Sequence, residues 1–348
     1  MKSKVINYVR KIQGSRDRRS IIDRWILSTY NTYRGLKTKL RRVNTTSYSR
    51  AYLQSRNLKR NLKGKKFKFV TIDQASIWTM EWIKTFPCQY DLIVGIPRSG
   101  MFIASIIALK LGKGLTTPEL FREGRFWHSS FMNEKLSFDQ VKNVLLVDDA
   151  VDTGRAMSSA MEVIEPMSKG ISITKASMIV REDSKPIVDL YHKVIAPPRV
   201  FEWNILHRKI ASYWGHGILA VDMDGILCAN CPRGVDNDEL LYLEWLNSAR
   251  PYLIPSFEID AIVSNRLEKY RPDTEHWLKM HNVKYKKLYM WDIPDKSERK
   301  EGFARHKIEQ LLQLKPDMYW ESEWAQSQMI WSQTKIPTLC IDEMTLLC

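Results

Sequence analysis

Twice in this sequence an apolar run ends on paired aspartates and passes into a glycine turn: "VLLVDDAVDTG" at 144–154 and "ILAVDMDG" at 218–225. Four consecutive apolar residues with no polar interruption do not suit a strand with one wet face; they ask for burial on both sides. Carboxylates at the end of such a strand stand where open α/β sheets receive their ligands. Two such ends call for two covered parallel sheets.

The surrounding pattern agrees. From residue 71 a helical stretch "IDQASIWTMEWIKTF" leads to an apolar run "DLIVGI" (91–96), a helix from Gly100, a long connection 113–140 and the run at 143–149. A helix over 154–165 and a strand "ITKASMIV" (173–180) follow. The alternation restarts at 217, with further runs at 260–265, 286–291, 317–322 and 338–342. Short Val/Ile/Leu runs separated by helical stretches read as two successive α/β units. With 348 residues, each can bury a core of its own. The boundary is expected near 205–215, dividing the chain into a segment 1–68, a domain 69–212 and a domain 213–348.

The formal charge of +15 sits almost wholly in the first part. Residues 1–68 hold 21 Lys and Arg against Asp17 and Asp23, a net of +19, and the remainder carries −4. "RRSIIDRWILSTYNTYRGL" (18–36) spaces apolar residues at roughly helical intervals among cations. This basic helical segment suits an anionic partner, and Trp25, Ile26, Tyr30 and Tyr33 favour a membrane surface among the choices. No helix-turn-helix or zinc-finger pattern argues for nucleic acid.

No apolar run approaches the ~20 residues that span a bilayer. The charged start lacks a secretory signal, so the expected location is cytoplasmic, at the inner face of the membrane. Five cysteines fit a reducing compartment. Cys228 and Cys231 form a CxxC without the second pair that zinc needs, and read as spare thiols.

A strand ending in Asp148-Asp149, followed by a tight loop that opens a helix, turns successive backbone N–H groups onto one phosphate. "VLLVDDAVDTGRAM" resembles the signature of type I phosphoribosyltransferases, which use phosphoribosyl pyrophosphate (PRPP). The resemblance covers about residues 70–205. It implies that Asp148 and Asp149 hold the ribose hydroxyls, that Asp152, Thr153, Gly154, Arg155 and Ala156 cradle the 5-phosphate, and that Asp152 is catalytic. The family usually has Thr or Ser where Ala156 stands. "DLIVGIPRSGMFIA" (91–104) resembles the family's pyrophosphate loop, which assigns Arg98, Ser99 and Gly100 to the diphosphate and makes Pro97–Arg98 a candidate cis peptide. The connection 113–140, with Arg122, Arg125 and Lys135, matches the loop that closes over PRPP.

"ILAVDMDG" resembles the start of the haloacid dehalogenase superfamily over about residues 215–345. That resemblance makes Asp222 an aspartyl nucleophile and Asp224 the acid and base. Ser264 would hold a phosphoryl oxygen and Lys307 would neutralise charge on the intermediate, and Asp222, the backbone of Asp224 and Glu321 would bind Mg²⁺, with Glu323 the substitute for Glu321. Only about 35 residues separate Asp222 from the next strand, so no large cap fits and the site is expected to be open. The expected fold is therefore a phosphoribosyltransferase-like sheet, then a capless Rossmannoid domain, behind a basic helical segment.

A phosphatase fused to a PRPP transferase would defeat nucleotide salvage. The pair resembles bacterial polysaccharide ribofuranosyltransferases, which implies PRPP and a lipid-linked glycan acceptor as partners and Mg²⁺ as cofactor. Two alternatives remain open. One is a nucleobase phosphoribosyltransferase coupled to a phosphatase, with Trp203 stacking on the base and Asp152 contacting it. The other is a PRPP-sensing nucleic-acid-binding regulator.

Overall fold

In a computed structural model of the chain, the apolar runs become two separate, largely parallel sheets. The structure describes residues 67–128, 137–207, 217–232, 234–235, 239–294 and 304–348. The basic segment lies outside them up to residue 66, as do Lys135 and residues 208–216 around the expected boundary.

Strand β1 (Lys68–Val70) precedes helix α1 (Ile72–Ile83). Thr71 caps α1 by accepting from Gln74 N at 3.1 Å, and Ala75, Thr79 and Trp82 form its buried stripe. Three residues of the expected helix, Lys84 to Phe86, fall outside α1 because its last turn closes at Lys84. Then come β2 (Leu92–Gly95), α2 (Ser99–Leu111), β3 (Gly114–Thr116) and α3 (Pro118–Arg122). The expected single long connection 113–140 is thus structured at its start. Thr117 caps α3 and Pro118 takes the first helical turn, where a missing N–H costs nothing. Three-residue β3 is too short to show a period.

Strand β4 (Asn143–Val151), α4 (Arg155–Ile164), β5 (Ser172–Val180) and β6 (Leu190–Val194) complete the first sheet. Its order is β3-β2-β4-β5-β6, all parallel. The uninterrupted apolar runs follow from cover on both faces. Ile93, Leu145 and Val147 pack with α1 and α2, while Leu92, Val94, Val144 and Leu146 pack with Phe121 and α4. Each such side chain, fully withdrawn from water, contributes ~1.5–3 kcal/mol. The expectation of an α/β first domain with a parallel sheet is met.

The second sheet is built from β8 (Leu219–Val221), β9 (Ala261–Leu267), β10 (Leu288–Trp291), β11 (Met318–Glu321), β12 (Thr338–Cys340) and β13 (Thr345–Leu347). Its order is β10-β9-β8-β11-β12-β13, parallel except for β13. Helices α5 (Glu239–Ser248), α6 (Arg271–Met280), α7 (Arg305–Leu314) and α8 (Trp324–Thr334) connect these strands. Strand β8 lies between β9 and β11, so the order reverses at Asp222, a topological switch point.

Between the sheets runs a two-stranded parallel ribbon, β1 with β7 (Arg199–Phe201), which the sequence reading did not anticipate. Its residues alternate. Val70 and Phe201 enter the core of the first sheet, whereas Phe69 and Val200 pack in the core of the second. Period-2 alternation thus lets three residues per strand serve both cores.

Candidate active sites

At the carboxyl ends of β2 and β4 lies a cavity of about 440 Å³. Ser99, Asp148, Asp149, Asp152 and residues 153–156 all line it, as the sequence reading expected of a single site. Gly100 brings α2 against β4: a Cβ there would stand 2.8 Å from Val147 O and 3.1 Å from Asp148 Cα. Arg98 is exposed and is not among the lining residues. The Pro97–Arg98 peptide is cis.

Asp148 and Asp149 are 6% and 4% exposed. Asp149 is held on both oxygens: Ser99 Oγ donates to Oδ1 at 2.8 Å and Trp203 Nε1 to Oδ2 at 2.7 Å. Asp148 Oδ1 accepts from Asp149 N at 3.0 Å. Asp152 Oδ1 pairs with Arg199 Nη2 at 2.6 Å, and the Arg199 side chain is 1% exposed. Gly154 takes φ +73° ahead of α4, and a Cβ there would meet Ile187 Cγ2 at 2.7 Å. No side chain caps the first turn of α4, so its amides remain available where residues 153–157 line the cavity.

Trp203, considered above for stacking on a base, is not among the residues lining the cavity. Its ring stacks on Phe201 at 4.9 Å and 4°, Phe102 lies 5.7 Å away, and its N–H is taken by Asp149. Arg122 and Arg125 do not line the cavity; Arg125 pairs with Glu123 at 3.3 Å on the surface. Arg199, Arg181 and Asn204 were not anticipated. The first two look like any surface arginine in sequence.

A second cavity, about 360 Å³, opens at the end of β8. Asp222, Asp224, Lys307 and Glu323 line it, together with Asn230, Asn265 and Gln326. Lys307, 2% exposed, donates to Asp222 Oδ2 at 2.7 Å, to Glu321 Oε2 at 2.8 Å and to Gln326 Oε1 at 3.2 Å. Burial pushes the Asp222 carboxyl well up; Lys307 opposes this, while Glu321 and Asp224 add to it. Burial by itself would lower the Lys307 ammonium, but Asp222 and Glu321 more than reverse that. Gly225, at φ +80°, leaves room that a Cβ would deny, since it would stand 2.5 Å from Ser322 Cβ.

Asp224 is turned to Arg266, which donates from Nη2 to Oδ1 at 2.6 Å and from Nε to both oxygens at 3.2 Å. Arg266 is 1% exposed and lies over the Trp245 ring at 5.2 Å. Buried Cys228 donates to Asp224 Oδ1 at 3.3 Å, and burial followed by Asp224 pushes its thiol far up.

Two expected residues stand elsewhere than foreseen. Ser264 is fully buried, with Oγ accepting from Arg266 N at 3.2 Å, and its neighbour Asn265 faces the cavity instead. Glu321 is fully buried, its oxygens met by Lys307, Tyr319 and Ser322 N. Lys307 stands between Asp222 and Glu321, and the Asp224 side chain is on Arg266, while the Asp224 backbone carbonyl, the ligand expected of that residue, accepts from Ser322 Oγ at 3.3 Å. Among the described residues no group of three or more acidic, His or Cys side chains is placed to hold a metal ion. No helix among the described residues is long and apolar enough to cross a membrane.

Residues 71–205 match the phosphoribosyl transferase domain family. The orotate phosphoribosyltransferase of Sulfurisphaera tokodaii is 31% identical over 94 residues, which is 26% of this chain and 44% of that protein. The chain thus spans under half the length of this curated relative. Among solved structures, the Helicobacter pylori xanthine-guanine-hypoxanthine phosphoribosyltransferase aligns at TM-score 0.33 and 16% identity, over 40% of this chain and 95% of that one. A purine phosphoribosyltransferase from Pyrococcus horikoshii aligns at 0.30 and 18%, over 40% and 94%. The similarity to a phosphoribosyl transferase domain thus rests on residues 71–205, less than half of this chain.

Proposed function

We propose that the chain transfers 5-phosphoribose from PRPP to a lipid-linked glycan and then removes the 5-phosphate, leaving a β-ribofuranosyl residue. The observation that carries this reading is the pairing, on one chain, of a phosphate-loop cavity with a second cavity in which a buried lysine holds an aspartate at a strand end. The proposed parts are the basic segment 1–68, a transferase domain 69–212 and a phosphatase domain 213–348.

In the first site PRPP arrives as its Mg²⁺ complex. Asp148 and Asp149 hold the ribose hydroxyls, Ser99 and the amides around Gly100 meet the diphosphate, and the loop 152–156 with the first turn of α4 takes the 5-phosphate. The acceptor hydroxyl attacks the anomeric carbon, the bond to diphosphate breaks, and Asp152 receives the hydroxyl proton. In-line displacement on the α-configured donor produces the β-product.

In the second site Asp222 attacks the 5-phosphate, the phosphorus–oxygen bond to the sugar breaks, and Asp224 protonates the departing O5. Asp224 then takes a proton from water, which cleaves the aspartyl-phosphate. Lys307 steadies the charge. The open cavity suits a polymeric substrate, and the basic segment suits an anionic membrane at the cytoplasmic face. A nucleobase acceptor is less favoured because Trp203, which would stack on the base, is stacked on Phe201 and gives its N–H to Asp149. The intact Asp222 and Asp224 argue against a pure regulator.

Incubation with PRPP, Mg²⁺ and a lipid-linked glycan, followed by acceptor mass measurement, tests the reading. Wild type should add ribose, and Asp222→Asn should add phosphoribose. Nucleoside formation from a nucleobase, with no glycan product, would overturn it.

A further inference from the structure

Both acidic groups that the transferase reading uses most closely, Asp149 and Asp152, are gripped from one stretch of five residues, 199–203. Arg199 reaches Asp152 and Trp203 reaches Asp149. Neither partner is free to meet a ligand in another way. The Arg199 side chain is 1% exposed, and the Trp203 ring is stacked on Phe201 and flanked by Phe102. Between them, Val200 leaves the first domain's surroundings and packs in the core of the second sheet, followed by Ile205.

The chemistry of the two grips differs in a way that matters. A carboxylate has about four lone-pair sites. Ser99 and Trp203 occupy one on each oxygen of Asp149 and are both neutral donors, so they fix the plane of the group without cancelling its charge. The remaining sites and the full negative charge stay available to ribose hydroxyls and to the cation that accompanies PRPP. A lysine or arginine in place of Trp203 would hold the carboxylate equally well but neutralise it. Asp152, by contrast, sits in the phosphate loop, where an unpaired anion would repel a phosphate, and there the partner is a cation.

We infer that Trp203 and Arg199 are positioning residues of the transferase site, and that segment 199–203 transmits its anchorage in the second domain's core to both carboxylates. This rests on the transferase reading above. Trp203 acts through Asp149 on the ribose and its cation, and Arg199 acts through Asp152 on the phosphate loop.

The test uses the full chain in the Asp222→Asn background, so that PRPP is not hydrolysed. PRPP affinity with Mg²⁺ is measured by calorimetry, beside the melting temperature with and without PRPP. Trp203→Phe keeps the stack on Phe201 and removes only the N–H. It should weaken PRPP binding about tenfold, which is 1.4 kcal/mol, and shrink the PRPP-induced rise in melting temperature, with a fall in the ligand-free melting temperature no larger than that of Ser99→Ala. Arg199→Met should weaken binding at least as much, and Arg199→Lys should recover part of it. Unchanged PRPP affinity in Trp203→Phe overturns the inference. So does a lowered ligand-free melting temperature with an unchanged PRPP increment, which marks Trp203 as packing alone. Failure of the parent Asp222→Asn protein to bind PRPP overturns the transferase reading itself, and the inference with it.

Discussion

Asp149 and Asp222 both stand at the carboxyl ends of parallel strands, yet Asp149 is met by the neutral donors of Ser99 and Trp203 and Asp222 by the ammonium of Lys307. In the first site Asp149 is hydrogen-bonded without a cationic partner. The second has its counter-charge built in, with Lys307 between two carboxylates and Arg266 on a third. A buried carboxylate is costly unless something compensates it. The second site meets that cost within the chain. At Asp149 the first leaves compensation to neutral hydrogen bonds and to whatever cation its ligand brings, while Asp152 has Arg199. A substrate that carries its own Mg²⁺ fits the first arrangement, and a phosphoryl dianion that must approach an aspartate fits the second.

The sharpest way to break this comparison is to exchange losses between the sites. Asp222→Asn should reduce phosphate release by about 10⁴-fold or more and leave pyrophosphate release near normal. Asp148→Asn with Asp149→Asn should cripple pyrophosphate release and spare phosphate release from a 5-phosphoribosyl glycan supplied ready-made. Loss of both activities in either folded variant would show that the sites are not independent.

Stability should separate them next. Lys307→Met strands Asp222 and Glu321 together in the interior, and urea unfolding at pH 7 should register a loss of ~3–5 kcal/mol. Ser99→Ala removes one neutral donor from Asp149 and should cost only about 1 kcal/mol. Equal losses would mean that the charged and neutral modes of compensation do not differ as described.

The glycines after the two aspartate pairs make a finer comparison. Gly154 and Gly225 both have positive φ and both lack space for a Cβ, so alanine at either should cost ~1–3 kcal/mol. Only Gly154→Ala should also weaken PRPP binding in calorimetry. The smallest effect on either site is expected from deleting residues 1–60. Turnover of a soluble acceptor analogue should hardly change, while binding to anionic vesicles at low salt should fall by ~1 kcal/mol per cation removed from the surface. Equal vesicle binding would remove the membrane role from the basic segment.

The strands that carry the sites were legible because burial on both faces leaves an unbroken apolar run. "LIVG" at 92–95 and "NVLLVDDAV" at 143–151 became β2 and β4 with shifts of a residue or two at most ends. The loops after them were legible because a positive φ or a close helix approach restricts the residue to glycine, as at Gly100, Gly154 and Gly225. β1, β3, β6, β7 and β13 were missed. They have three to five residues, sit at sheet edges or in the ribbon, and carry no period long enough to read.

What the sequence by itself determined was therefore local: two strand ends bearing aspartates, the turns that follow, and the helices whose first turns face the cavities. Each depends on residues within one turn or one strand of each other. Tertiary structure alone decided which partners the aspartates take. Trp203 meets Asp149 across 54 positions, Arg199 meets Asp152 across 47, Arg266 meets Asp224 across 42, and Lys307 meets Asp222 across 85. Nothing in a run of residues marks one arginine as buried against a carboxylate and another as solvated. That difference arises only when packing has excluded water from one of them, which leaves the carboxylate as the group able to compensate its charge.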